Sequence, residues 1–284
     1  MNNNKQLEIL KKKVLKLTNL LNNKKYSELV SEGLSLKKKY PNVYLISNAI
    51  GLGYYGLQQH DKAENIFNEA LKTNPNNIFI LNNLGMVLSA QDKNSLAEEY
   101  LLKAIKNKPD YLSARVTYAN LKMKENKYDD AIKLLTEVYN KNKNNYVLNF
   151  NLGNAYQESG DFINGKKYHD ICLEIAPLKT ASDKSLSVMT KYTKNNPHLK
   201  SMENKLHKIE NLDDDQDNIS LCFALGKAYE DIEDYNKSFL YLKKANHLKN
   251  KLVKFSVKKE EENFNFIKNN LSLKNLEIQK PNLN

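Results

Sequence analysis

Small residues and prolines return in this chain every 34 positions, and that period limits the fold more than any other feature. Pro41, Pro75, Pro109 and Pro177 share one track, with Lys143 on the beat between the last two. Ala63, Ala97, Ala131 and Gly165 form a second track, and Gly51, Gly85, Ala119 and Gly153 a third. Three tracks locked to one period describe a supersecondary unit that is copied along the chain. A unit of this length holds two helices and two turns. Proline at its end stops a helix and turns its predecessor away from helical angles. Between the prolines, apolar residues such as Leu96, Tyr100, Leu101 and Ala104 recur at helical spacing. Gly or Ala on both helices of a pair lets them approach to the short end of the usual ~8–10 Å interaxial range.

These residues resemble the tetratricopeptide repeat, whose pattern is Leu-Gly, then Tyr, then Ala-x-x-x-Phe, then Pro. The fullest copy runs from Tyr44 through Ile50-Gly51, Tyr54, Ala63, Phe67 and Ala70 to Pro75. Further copies begin at Ile78, Leu112 and Tyr146, and a degenerate one spans about 10–43 with Tyr26 in its aromatic place. His169 stands where an aromatic is usual, and Gly165 and Ser238 stand where alanine is usual. The resemblance implies an all-α, right-handed superhelix of about five or six helix pairs. The array is expected over 1–178, with repeats near 10–43, 44–77, 78–111, 112–145 and 146–179. An irregular helical connector is expected over 179–218, with a helix around Leu199–Leu212 and an acidic run ahead of a helix starting near Ile219. A final repeat over 219–256 contains Leu225-Gly226, Tyr229 and Ala245, and a charged helix with a polar tail completes 257–284.

Lysine supplies nearly all of the basic charge. The chain has 44 Lys+Arg against 33 Asp+Glu, and Arg115 is its one arginine. Phosphate and base recognition favour the bidentate guanidinium, so this balance argues against a nucleic-acid partner and for a solvated lysine surface. No apolar stretch is long enough for a membrane span or a secretory signal, and the expectation is a soluble, cytoplasmic protein. Cys172 and Cys222 lie far apart on apolar helical faces and read as buried thiols.

The last third carries a second resemblance. Phe223-Ala224-Leu225-Gly226-Lys227-Ala228-Tyr229-Glu230-Asp231, followed by Asp234-Tyr235 and Ala245-Asn246-His247-Leu248-Lys249, looks like the final repeat and linker of bacterial proteins that join such repeats to a sulfotransferase domain. That family's Pro-Arg-Ser-Gly-Thr loop, which holds the donor's 5′-phosphosulfate, has no counterpart here. No glycine follows Gly226 to build a backbone cradle for an anion. The resemblance therefore implies the repeat half, with a sulfotransferase domain supplied in cis or in trans.

Motifs of chemistry are otherwise weak. Gly51-Leu52-Gly53-Tyr54-Tyr55-Gly56 matches a dinucleotide fingerprint in letters, but it falls on a repeat helix without a preceding strand. Gly53 and Gly56 read as surplus glycines that weaken this helix. Asp213, Asp215 and Asp217 have calcium-loop spacing, yet Ala224 occupies the place of the bidentate Glu. His60, His169, His198, His207 and His247 are scattered, and His169 reads as core. No catalytic, cofactor or metal site emerges.

What remains is a surface. In arrays of this kind the first helix of each pair lines a concave groove with its fifth, sixth and ninth residues. Those fifteen positions in the five clearer repeats hold Asn48, Asn82, Asn83, Asn120, Asn151 and Asn154. Asparagine is about one residue in seven of the chain, so about two would be expected. An amide offers a donor and an acceptor to an extended peptide backbone. With Tyr55 and Gln157, these residues form the candidate groove for a peptide or protein partner. The packing positions are Gly51, Ala63, Pro75, Gly85, Ala97, Pro109, Ala119, Ala131, Gly153, Gly165, Pro177 and Gly226.

Overall fold

The computed structural model describes residues 3–209, 215–252, 261–262 and 264–265. Among them are fourteen α-helices and no strand. The chain divides into two compact units, residues 1–176 and 177–284.

The first unit holds five helix pairs. They are α1 (Asn3–Asn22) with α2 (Tyr26–Lys39), α3 (Tyr44–Gly56) with α4 (His60–Thr73), α5 (Ile78–Ala90) with α6 (Asn94–Asn107), α7 (Leu112–Lys124) with α8 (Tyr128–Tyr139), and α9 (Tyr146–Glu158) with α10 (Phe162–Ile175). The helices α3, α5, α7 and α9 begin 34 residues apart and have equal length.

Both turns of the unit follow from local chemistry. Within each pair the chain reverses through one residue of positive φ: Lys24, Gln58, Asp92, Asn126 and Gly160, again 34 apart. The residue after it donates its amide to a carbonyl in the last turn of the first helix, as Gln59 to Tyr54 and Lys93 to Leu88, both at 2.9 Å, closing a Schellman turn. Between pairs, Tyr40, Asn74, Lys108 and Ala176 end α2, α4, α6 and α10 with ψ between 64° and 93°. Each precedes a proline that forbids the helical alternative. Where Lys143 replaces that proline, α8 stops at Tyr139 and the Asn142 side chain donates to the Val138 carbonyl at 2.8 Å.

The small-residue tracks mark where paired helices touch. A Cβ on Gly51 would lie 2.4 Å from the Phe67 ring, one on Gly85 2.6 Å from Leu101, and one on Gly153 2.7 Å from His169. In each pair the bulky residue comes sixteen positions later, and Ala119 with Leu135 repeats the arrangement, both fully buried. The buried residues form successive clusters shared by neighbouring pairs. One joins Phe67 on α4 to Leu84 and Val87 on α5 and Leu121 on α7; the next joins Leu135 on α8 to Leu148 and Leu152 on α9. This is the nearest-neighbour construction of a solenoid.

Gly53 and Gly56 are not surplus. A Cβ on Gly53 would lie 2.8 Å from Val30, and one on Gly56 2.6 Å from Tyr26. They seat α3 against the second helix of the preceding pair, a contact whose partners the repeat pattern does not specify.

The second unit contains α11 (Ala181–Met189), α12 (Pro197–Ile209), α13 (Asp215–Asp231) and α14 (Tyr235–Leu252). The helix expected around Leu199–Leu212 runs from Pro197 to Ile209, with proline at its first position, where its missing N–H is no loss. The helix expected from Ile219 starts earlier, at Asp215. Asp217 therefore lies in its first turn, where negative charge suits the helix dipole. Its carboxylate accepts from the Thr180 amide at 2.8 Å, and its carbonyl accepts from the Thr180 hydroxyl at 2.6 Å. Gly226 packs on Leu242 as the other small residues do, and Ser238 and Ala245 are buried on α14. The acidic run expected ahead of α13 falls partly at 213–214, outside the described residues, as does most of 257–284.

Candidate peptide groove on the first helices

Rows of contact decide which face of the first unit is the inner one. Successive first helices touch one another, α1 with α3, α3 with α5, α5 with α7 and α7 with α9. No comparable row joins the second helices among the described residues. The first helices thus share an inner wall, and one face of each is left open along it.

On that wall the amides expected from sequence meet in part. The Asn83 side chain donates to Asn48 Oδ1 at 2.6 Å, linking α5 to α3, and Asn82 donates to Asn83 Oδ1 at 2.9 Å. Asn48 and Asn83 are half-buried, whereas Asn82 is buried with its own Oδ1 unpartnered. Asn151 is a correction to the expected ladder. It is buried and donates to the Val147 carbonyl of its own helix at 2.8 Å, because the preceding turn offers the nearest acceptor. Asn120 is exposed and Asn154 half-buried, and Gln157 is half-buried with an unpartnered Oε1. Tyr55 is half-buried and lies against His60, ring centres 5.4 Å apart.

The second residue of each first helix was not among the positions expected from sequence. Leu45, Phe79 and Val147 are 44%, 43% and 50% exposed. Each directly follows the residue that opens its helix, with Ser113 in the remaining repeat. Phe79 also stacks on Tyr44 at 6.1 Å and meets Tyr111 edge-on at 5.5 Å, so an aromatic row runs from α3 across α5 to the residue that precedes α7. The signal that could have found it was the same 34-residue period applied to apolar rather than small residues.

His169 occupies the place that Phe67 holds in the second pair. It is fully buried, sits edge-on to Phe150 at 5.4 Å, and neither ring nitrogen has a hydrogen-bond partner. Burial pushes its pKa down to about 4, so it is neutral at neutral pH. Cys172 and Cys222 are buried and neither is in a disulfide, as their apolar faces imply. On α7, Lys122 pairs with Glu98 at 2.8 Å, and Tyr118 also bonds Glu98. Burial by itself would lower Lys122, but its bonds to Glu98 and Tyr118 outweigh that and hold it above the ordinary lysine value.

The second unit contains a polar relay that no motif announced. Asp183 is 0% exposed; both its oxygens accept from Lys205 Nζ, at 2.6 and 2.9 Å. His198 Nε2 lies 2.9 Å from Asp183 Oδ1, and His198 Nδ1 lies 2.8 Å from the Tyr192 hydroxyl. The Tyr192 amide donates to Asp231 at 3.0 Å. Burial, then the charges of Asp183 and Asp231, raise the Tyr192 phenol above its usual range. A Tyr–His–Asp relay resembles a catalytic one in outline. Tyr192 is only 2% exposed, however, so its hydroxyl has no open path to a substrate. The relay ties α11, α12 and the 190–196 segment together. No group of three or more His, Cys, Asp or Glu among the described residues could hold a metal ion. No helix among them is long and apolar enough to cross a membrane.

Comparison with known proteins places this architecture. The tetratricopeptide-repeat family model matches residues 46–77, 80–111 and 219–251. No curated protein matches the chain. Among solved structures, human IFIT1 as a dimer with m7Gppp-AAAA is 16% identical with a TM-score of 0.63, covering 80% of this chain and 55% of that one. A tetratricopeptide repeat protein from Parabacteroides merdae is 12% identical with a TM-score of 0.55, covering 84% and 92%. PilF of Pseudomonas aeruginosa is 13% identical with a TM-score of 0.53, covering 81% and 96%. At such identities the likeness is one of fold. The described residues are all-α, and three segments of the chain match the tetratricopeptide repeat.

Proposed function

We propose that this protein is a non-catalytic scaffold that holds a peptide or protein segment along the inner wall of α3, α5, α7 and α9. The observation that carries the reading is the linked Asn48–Asn83–Asn82 amides on α3 and α5, together with the exposed Leu45, Phe79 and Val147 near the starts of α3, α5 and α9. Amides can pair with an extended backbone, and apolar side chains left open at one face gain by being covered. The wall is built on packed helices, so binding needs little rearrangement.

The test is site-directed photo-crosslinking in the native cell, with a benzophenone side chain at Val147 or, on α6, at Lys103. A discrete partner should be trapped from Val147 and not from Lys103, which is exposed on a second helix. Equal trapping from both positions would remove the groove from the proposal. A second reading makes the chain the partner-presenting half of a sulfotransferase. It rests on the Phe223–Lys249 string, which α13 and α14 carry as a repeat. Binding of a sulfonate donor by the chain, alone or with a second polypeptide, is its test.

A further inference from the structure

We propose that the ligand of this groove is an uncharged extended peptide, chosen because the inner wall excludes charge. The inference rests on the groove reading above and specifies its partner. The second, fifth, ninth and twelfth residues of α3, α5, α7 and α9 share the inner wall. They read Leu-Asn-Leu-Tyr, Phe-Asn-Met-Ser, Ser-Val-Asn-Met and Val-Phe-Asn-Gln in order. None of the sixteen is Asp, Glu, Lys, Arg or His, in a chain that is 27% charged. An even spread would put about four charges there.

α3 and α5 carry no charged residue, and the four on α7 and α9 lie at other positions, with only Lys124 reaching back to the Ser89 carbonyl at the end of α5. Arg115 on α7 bonds Glu137 of α8, and Lys122 bonds Glu98 of α6, so both cations are directed toward second helices. Lys124 and Glu158 stand at the last positions of α7 and α9, on the rim. Lys124 is paired there with Asp92 at 2.6 Å.

A charged side chain brought onto the wall would lose hydration and find no counter-ion, a loss that a neutral side chain avoids. The groups offered instead are of two kinds. Leu45, Phe79 and Val147 present apolar surface at intervals of one or two repeats. Asn120, exposed, and Asn154, half-buried, present amides. A segment rich in apolar and amide or hydroxyl side chains matches both. Its affinity should depend little on salt, against what the formal net charge of +11 would suggest.

The experiment is selection of random twelve-residue peptides displayed on phage against the full chain, run beside Phe79→Asp and Val147→Asp variants whose helicity is checked by circular dichroism. Peptides kept by the wild type and lost by the folded variants define the groove-dependent set. That set should be depleted at least twofold in Asp, Glu, Lys and Arg relative to the starting library. Synthetic members should bind with less than a threefold change in Kd between roughly 20 and 500 mM salt. A groove-dependent set enriched in either charge, or a steep salt dependence, overturns the neutral-ligand proposal while leaving the groove intact. An empty groove-dependent set, with both variants folded, overturns the groove reading itself. With two variants, misfolding of one leaves the other to decide the outcome.

Discussion

Replacing His169 with phenylalanine isolates the cost of an imidazole in a place built for a hydrocarbon ring. His169 packs over Gly153 as Phe67 packs over Gly51, and both rings are fully buried. The pocket shape is therefore suited to phenylalanine. A neutral imidazole carries one donor and one acceptor, and here neither is paired. Each buried unpaired group costs about 1–3 kcal/mol, part of which the larger ring would return as packing strain. The net expectation is a gain of about 1–2 kcal/mol at neutral pH.

The pH dependence is the sharper signature. The folded pKa is about 4 against an ordinary histidine value of 6.5. As pH falls below the unfolded value, the unfolded chain takes up a proton that the folded chain refuses, so the wild type loses stability. This loss amounts to about 2 kcal/mol by pH 5 and about 3 kcal/mol below the folded value. The phenylalanine variant loses none of it at this position. Urea unfolding of both proteins at pH 7 and pH 5, followed by circular dichroism, should show their difference widening by that amount. A constant difference across the range would refute the idea that an unpaired, buried imidazole occupies this position.

Three further outcomes follow from the packing and the turns. Gln58→Gly and Asp92→Gly each relieve a positive φ, of 58° and 61° respectively. Each should raise stability by up to about 1 kcal/mol in thermal unfolding; a loss would mean these side chains contribute something the turn geometry does not show. Ala131→Leu places a large residue at a fully buried contact on α8 and should cost about 1–3 kcal/mol or more, with an unchanged melting midpoint counting against a close fit there. Asp183→Asn leaves Lys205 facing a neutral partner and should destabilise the second unit by about 3 kcal/mol, read by hydrogen exchange of α11 and α12; unaltered protection would show that the relay is not what ties them.

The helix pairs were legible in the letters of the chain because their causes are local. A proline restrains the residue before it, a Schellman reversal needs one positive φ, and a small residue must recur wherever two helices meet. Each of these repeats every 34 residues. The choice of partner is different. Asn83 reaches Asn48 while Asn151, at the same position in a later repeat, turns to its own backbone. The two differ in what the neighbouring helix presents, which no local rule reports. The same holds for Asp183, whose companions Lys205, His198 and Tyr192 are brought together by segments that share no motif.

Periodicity was enough to imply an all-α chain of successive helical hairpins, since these depend on neighbours along the chain. Only the packed structure decided which face of each first helix lies open, which partners Arg115 and Lys122 take, and that the second unit is held by a buried ion pair. Those properties depend on which side chains meet across space, and burial makes the energy of each meeting sensitive to the partner.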